Sequence, residues 1–295
     1  MTFNLYFAAL WFHCHSDCRR YPYCQKIFNR KPAKKSNPFI MRKLLFFIAF
    51  SYTAVFAQPK SYSTANAHSH NDYQQSAPLY SAYNLQFGCI EVDVILSNEE
   101  LLVAHTEKDV PQHRLLEELY LKPLQGYIKT NKGYPYADTS RRLMLMIDVK
   151  SDAVTTLNKI IDVLQKYPEL IHTPKFKVLI SGNKPDPSTY ISYPSFVVFD
   201  GLLSTRYTKD ALSRMVMLSD NFITYSTWKG TGPIPSNVFE KLQKLIVKAH
   251  GLGKEVRLWN VPDFDDAWKK VIELGVDYID SDSIKALAQF LKKQS

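Results

Sequence analysis

From Tyr62 to Lys292 the sequence alternates short apolar runs with stretches of helical periodicity, with no linker or repeat between them. Nine runs read as strands: Tyr62–Ala67, Cys89–Leu96, Leu101–His105, Leu143–Val149, Phe176–Ile180, Ser195–Phe199, Phe222–Tyr225, Glu255–Asn260 and Val276–Ile279. Helical patterns fall at Pro78–Gln86, Leu115–Leu124, Ala153–Lys166, Val238–Ala249, Phe264–Leu274 and Ser283–Lys292. The pattern over Ala153–Lys166 sets Leu157, Ile160, Ile161 and Leu164 on one face, and Val238–Ala249 starts after Pro235-Ser236-Asn237 and stops at Gly251. Such alternation implies a mainly parallel sheet with helices outside. Eight strands can close a TIM-type (β/α)8 barrel as a single domain if Leu101–His105 is an extra hairpin strand, turned back across Ser97-Asn98-Glu99. The competing architecture, a doubly wound open sheet, normally follows its first strand with a glycine-rich phosphate loop. Here His68-Ser69-His70-Asn71 occupies that place.

The N-terminal fifth reads differently. "MRKLLFFIAFSYTAVFAQ" from Met41 has the layout of a secretory signal peptide over residues 41–57: a basic start at Arg42-Lys43, an apolar stretch, and Val55-Phe56-Ala57 before Gln58. Its apolar part is short for a membrane span, and no lipoprotein cysteine follows, so no stable membrane anchor is expected. Residues 1–40 are then read as an upstream start assigned too early, or as a leader, without ordered structure; a small metal knuckle of His13, Cys14, His15, Cys18 and Cys24 is the other reading. Residues 58–295 form the expected barrel domain in a secreted or periplasmic protein.

This division changes the electrostatics. Residues 1–57 hold nine of the 37 Lys+Arg and one of the 28 Asp+Glu, so the formal charge of the remainder is +1 rather than +9. Nucleic acid is therefore excluded as an expected partner. Of the four cysteines only Cys89 lies after residue 57, so no disulfide is expected within that domain. The sequence does not speak to oligomeric state.

The chemistry concentrates at strand ends. In "GCIEVDVIL" Glu91 and Asp93 share one face of a strand while Ile90, Val92 and Val94 point the other way. Two such carboxylates repel and are costly to desolvate unless a positive charge lies between them, and a hard divalent cation, Mg²⁺ or Ca²⁺, satisfies both. "LMLMIDVKSD" repeats the arrangement with Asp148 and Lys150, at the end of a strand where barrel enzymes place working residues. His105 ends the run "LLVAH", and with the histidines of "AHSHNDY" it offers the two imidazoles that phosphodiester cleavage needs, one to take a proton and one to give one. Trp259 ends the run "EVRLW" and can wall a site or pack. Asp280 and Asp282 of "YIDSDS" can cap the helix from Ser283 or line the site, and capping is the expected role.

In this order, a His after the first strand, "IEVDV", a His after the hairpin strand, an acidic-x-Lys strand, a Trp strand and a final "YIDSD", the residues from Ala67 to Asp282 resemble a superfamily of barrels. It is the glycerophosphodiester phosphodiesterase and phosphatidylinositol-phospholipase-C-like superfamily. Within it "AHSHNDY" resembles the branch of altered-inheritance-of-mitochondria-type proteins, and the Asp-x-Lys strand and His68-x-x-Asn71 are similar to sphingomyelinase D. The resemblance implies one divalent cation on Glu91, Asp93 and Asp148, His68 and His105 as the acid/base pair, and Lys150 and Trp259 lining the substrate site. Asn71 joins them as a donor and His70 is set on the substrate side; which of His68 and His70 faces the metal stays open. The His-Arg-Gly and Pro-Glu-Asn-Thr signatures of glycerophosphodiesterases are absent, and the third acidic ligand is Asp rather than Glu.

The function so implied is metal-dependent hydrolysis of a small-molecule or lipid-headgroup phosphodiester, such as a glycerophosphodiester or a phospholipid. Two alternatives remain. Read alone, His68-x-His70 resembles the metal pair of amidohydrolases and of the polymerase-and-histidinol-phosphatase family, but after His113 only His172 and His250 follow. The other is a secreted binding barrel that does not turn over substrate.

Overall fold

The computed structural model describes Pro59 and residues 61–294, so the expectations for residues 1–57 lie outside the described part. Nine strands form one sheet: β1 (Ala67–Ser69), β2 (Cys89–Ser97), β3 (Glu100–Val103), β4 (Leu143–Val149), β5 (Phe176–Gly182), β6 (Val197–Leu202), β7 (Met215–Asn221), β8 (Glu255–Trp259) and β9 (Tyr278–Ser281). Eight of them close a parallel ring in the order β1-β2-β4-β5-β6-β7-β8-β9, with β9 returning to β1. β3 stands outside the ring, antiparallel on β2. The hairpin turns at Asn98 and Glu99 with φ of 48° and 65°, the positive-φ pair that matches the twist of a tight hairpin. The expected barrel with an extra hairpin strand is the observed fold, and the open sheet is excluded by the β1–β2 and β1–β9 pairings.

Period-two alternation divides each strand between two cores. Ile90, Val92 and Val94 pack outward, under the helices, in one large cluster with Leu157, Ile160 and Leu164 of helix Ala153–Leu164 and Leu242 and Ile246 of helix Ser236–Gly251. The lower part of the barrel interior is plugged by Cys89, Met144, Met146, Leu179, Met217 and Tyr278. Cys89 is a free, fully buried thiol that fills this plug, with its pKa raised by burial. Above the plug the inward positions become polar. No helix of the described residues is long and apolar enough to cross a membrane.

Two strands sit elsewhere than expected. Tyr62–Ala67 is mostly a 3-10 turn, Thr64–Asn66, because Ser63 and Asn66 bond each other's backbone in a capping box; the strand begins where that run ends. Phe222–Tyr225 is likewise a 3-10 turn after Asn221, and the sixth strand of the ring, β7, is the preceding apolar run Met215–Asn221. The pattern Leu115–Leu124 is a π-helical turn, Glu117–Leu121, running into helix Lys122–Thr130.

The loop after β1 is held by a buried carboxylate. Asp72 is fully buried and accepts from the Leu79 amide at 2.5 Å and from the Ser69 and Tyr120 hydroxyls, each at 2.9 Å. Asp72→Ala leaves these donors without an acceptor and is expected to lower unfolding free energy by roughly 1–3 kcal/mol, read as a lower urea midpoint at unchanged slope.

Candidate active site

The polar layer opens into a cavity of about 400 Å³ at the C-terminal end of the strands. Its walls include His70, Asn71, Glu91, His105, Asp148, Lys150, Asp200, Arg257 and Trp259. His68, expected at this surface, is absent from it: the residue is fully buried. β1 explains the difference. His68 and His70 both point inward, but His68 pairs in register with Cys89 and Asp280, at the depth of the apolar plug, while His70 comes one layer higher with its side chain 29 % exposed.

Beneath the cavity lies a buried ionic cluster. Nη1 of Arg257 is 2.6 Å from Glu91 Oε2, 3.0 Å from Asp280 Oδ1 and 2.7 Å from His68 Nε2. His68 Nε2 also lies 2.6 Å from Glu91 Oε2. Burial and the Arg257 charge lower the His68 pKa against the pull of Glu91. Burial works to raise Glu91, but Arg257 and His68 hold it well below the usual carboxylate range, and Glu91 is ionised. Arg257 was not singled out by its sequence. The available signal was a cation at an inward position of the apolar run "EVRLW".

Above this cluster the three acidic residues expected to hold a cation do converge. Glu91, Asp93 and Asp148 each offer one oxygen within 4.8 Å of the others. Asp93 is fully buried; its Oδ2 accepts from the Tyr73 hydroxyl at 2.8 Å and meets His105 Nδ1 at 2.6 Å. Its Oδ1 and Asp148 Oδ1 are buried with no hydrogen-bond partner, although Lys150 Nζ stands 3.4 Å from Asp93 and 3.2 Å from Asp148. Burial and the charge of Glu91 push Asp148 up to about 6, against Lys150. Two orphaned oxygens in an all-carboxylate set fit a hard divalent cation, Mg²⁺ or Ca²⁺.

The two cavity histidines are each steered by a carboxylate. His105 is held at Nδ1 by Asp93, and His70 at Nδ1 by Asp282, 2.8 Å away. Neither Nε2 has a hydrogen bond among the described residues. Burial lowers the His70 pKa, but the Asp282 hydrogen bond and the charges of Asp280 and Glu91 outweigh it and raise it to about 9. Asp280 and Asp282 therefore serve the barrel, not the last helix. The helix entrance is held instead by Asp263, whose Oδ2 accepts from the amides of Asp282 and Ser283 at 3.1 and 2.9 Å. Asn71, in the left-handed region with φ of 45°, reaches the rim and accepts from Tyr73 at 3.3 Å. Asp200, buried and held by Ser219 at 2.9 Å and Ser181 at 3.3 Å, is a further wall residue that sequence reasoning missed, as is Lys184.

The family model described as AIM6-like phosphodiesterase domain matches residues 60–177. The curated relatives include an altered inheritance of mitochondria protein 6 homolog of Arthroderma benhamiae, 27 % identical over 74 % of this chain and 81 % of its own. The protein of that name from Kluyveromyces lactis is 26 % identical over 76 % of this chain and 72 % of its own. Among solved structures, a glycerophosphodiester phosphodiesterase from Parabacteroides distasonis is similar at a TM-score of 0.49 and 14 % identity, covering 77 % of this chain and 97 % of that one. The chain is thus similar to the AIM6-like phosphodiesterase domain over residues 60–177 and to altered inheritance of mitochondria proteins along about three quarters of its length.

Gly182 keeps the carboxylate cradle open. It has φ of +67°, and a Cβ there would stand 1.9 Å from Asp148 Oδ1 and 2.4 Å from the Val149 carbonyl. Gly182→Ala is expected to cost more than about 1 kcal/mol in urea unfolding, because the residue is strained and Asp148 must move.

Proposed function

We propose that this protein is a phosphoric diester hydrolase that uses one divalent cation and the histidine pair His70 and His105. The observation that carries the reading is the pairing of two carboxylate-steered imidazoles, with free Nε2 atoms, around a buried acidic triad in which two oxygens accept no hydrogen bond. Glu91, Asp93 and Asp148 would hold the cation, which supplies positive charge to a non-bridging phosphate oxygen and lowers the pKa of an attacking hydroxyl or water.

The chain's own residues then divide the remaining work. Lys150, anchored between Asp93 and Asp148, faces the anionic phosphate. His105 takes the proton of the nucleophile at Nε2, because Asp93 fixes its other nitrogen. His70, protonated at neutral pH, gives its proton to the departing alkoxide. Trp259, Asn71 and Asp200 wall the space left for the leaving group, in keeping with a small-molecule or lipid-headgroup substrate. His68, buried under Glu91, has no route to that substrate and acts on the site only through its neighbours.

The amidohydrolase reading fits less well, because the later histidines are elsewhere. His250 lies in helix Ser236–Gly251 against Asp277, and His172 follows the short helix Pro168–Ile171. The non-catalytic reading would leave the paired, uncommitted Nε2 atoms without a use.

Turnover of bis-p-nitrophenyl phosphate, lost on chelation and restored by Mg²⁺ or Ca²⁺, tests the assignment. His105→Ala, His70→Ala and Glu91→Ala should each lower kcat at least about a hundredfold with the fold retained by circular dichroism. A fully active variant at either histidine would remove that residue from the acid–base pair.

The pH profile tests the acid. A raised His70 keeps its proton, and hence its acid role, below its pKa, so kcat should fall as pH rises through about 9. Asp282→Asn removes the hydrogen-bonded charge and should move that upper limit toward the ordinary histidine value of about 6.5. We further propose export on the pattern of residues 41–57; mass spectrometry of protein secreted from a suitable host should find Gln58 at the mature N-terminus.

A further inference from the structure

The acidic residues in the barrel form two overlapping clusters, each with the ligand types and spacing of a metal site. Glu91, Asp93 and Asp148 make one; His68, Glu91 and Asp280 make the other, again with one donor atom each inside 4.8 Å. They share Glu91. A carboxylate common to two triads is the arrangement that bridges the paired ions of two-metal hydrolases.

In this chain the second cluster is already filled. A single nitrogen, Arg257 Nη1, stands within 3.0 Å of a donor atom on all three of its members. Arg257 is buried, on β8, and its register neighbours on β7 and β9 are Ser219 and Tyr278, so neither adjacent strand presents a competing cation at that position. His68 contributes nothing further, its Nδ1 being buried and unpartnered.

We propose that the Arg257 guanidinium stands in for a second metal ion: it occupies the His68, Glu91 and Asp280 cluster, and so confines this barrel to one divalent cation. The inference rests on the reading of Glu91, Asp93 and Asp148 as the cation site. It gives the His68-x-His70 motif an account: His68 keeps the ligand chemistry of a two-metal barrel but uses it on a built-in cation, which leaves His70 for the substrate. A guanidinium carries one positive charge where a metal ion would carry two, and it has no open coordination position. It therefore balances Glu91 without offering a second place for water or phosphate. The residue lies outside the stretch matched by the family model, residues 60–177.

Mn²⁺ is the probe, since it accepts both carboxylate and imidazole ligands. Equilibrium dialysis of the full chain should give one equivalent of Mn²⁺ for the wild type and two for Arg257→Met. His68→Ala added to that variant, or Arg257→Lys alone, should return the number to one. Because Arg257→Met leaves Glu91 and Asp280 buried without a counter-charge, it is expected to melt early without metal, and Mn²⁺ should raise its Tm by more than it raises that of the wild type. One equivalent in both the wild type and Arg257→Met, two in the wild type, or a variant that stays unfolded at every Mn²⁺ concentration would each overturn the proposal. No binding by the wild type together with one equivalent in the variant would sink the single-cation site while supporting the role of Arg257. No binding by either would sink both.

Discussion

A closed barrel that buries carboxylates needs internal cations, and the contact between Arg257 and Glu91 meets the deepest part of that need. An ionised carboxylate taken from water costs several kcal/mol even after relaxation, and only short, well-directed partners offset it. Arg257 lies at the bottom of the polar layer, Lys150 at the top, and the histidines at the sides. What this distribution leaves without a hydrogen bond is specific: one oxygen each on Asp93 and Asp148, with Lys150 Nζ 3.4 Å from the Asp93 oxygen. The residual negative charge is therefore localised on two buried oxygens of the acidic triad.

The segment His68 to Tyr73 shows how one short motif serves several layers at once. His68 points down to the ionic cluster, and Ser69 turns outward to bond Asp72 at 2.9 Å. Asp72 ties the loop to Leu79 and Tyr120, and Tyr73 reaches back to Asp93 at 2.8 Å. His70 and Asn71 are left at the rim. The apparent surplus of proton-handling residues is a division of labour set by the period-two geometry of a strand and by the turn after it.

Much of this was legible in the sequence, for identifiable reasons. The strand–helix alternation gave the barrel, and "IEVDV" and "IDVK" gave the acidic triad, since two-residue spacing on an apolar run leaves one possible face. What stayed hidden depends on depth and closure. Sequence alone does not say how far down the barrel an inward residue sits, so His68 and His70 were indistinguishable until the register placed His68 opposite Cys89. Arg257 finds Glu91 across the ring, and Asp280, which meets Arg257 and His68 from the two adjacent strands, looked like a helix cap because it stands near one. The apolar runs at Met215–Asn221 and Phe222–Tyr225 were equally strand-like, and only the closing of the ring chose the first.

Closure also ties the fold to the chemistry. His70 and Asp282 are 212 residues apart, and their hydrogen bond exists because β9 pairs with β1 in the register that sets His68 against Asp280. A slip of one residue at this seam would turn Asp280 and Asp282 outward and remove both the Arg257 contact and the His70 partner. The β1–β9 seam is only three residues long on the β1 side, so little ladder bonding defines its register. The ionic cluster below it adds charge-assisted contacts that only one register satisfies. In this barrel the buried Arg257 therefore does structural work at the closing seam through the same atoms that hold Glu91 ionised for the site above.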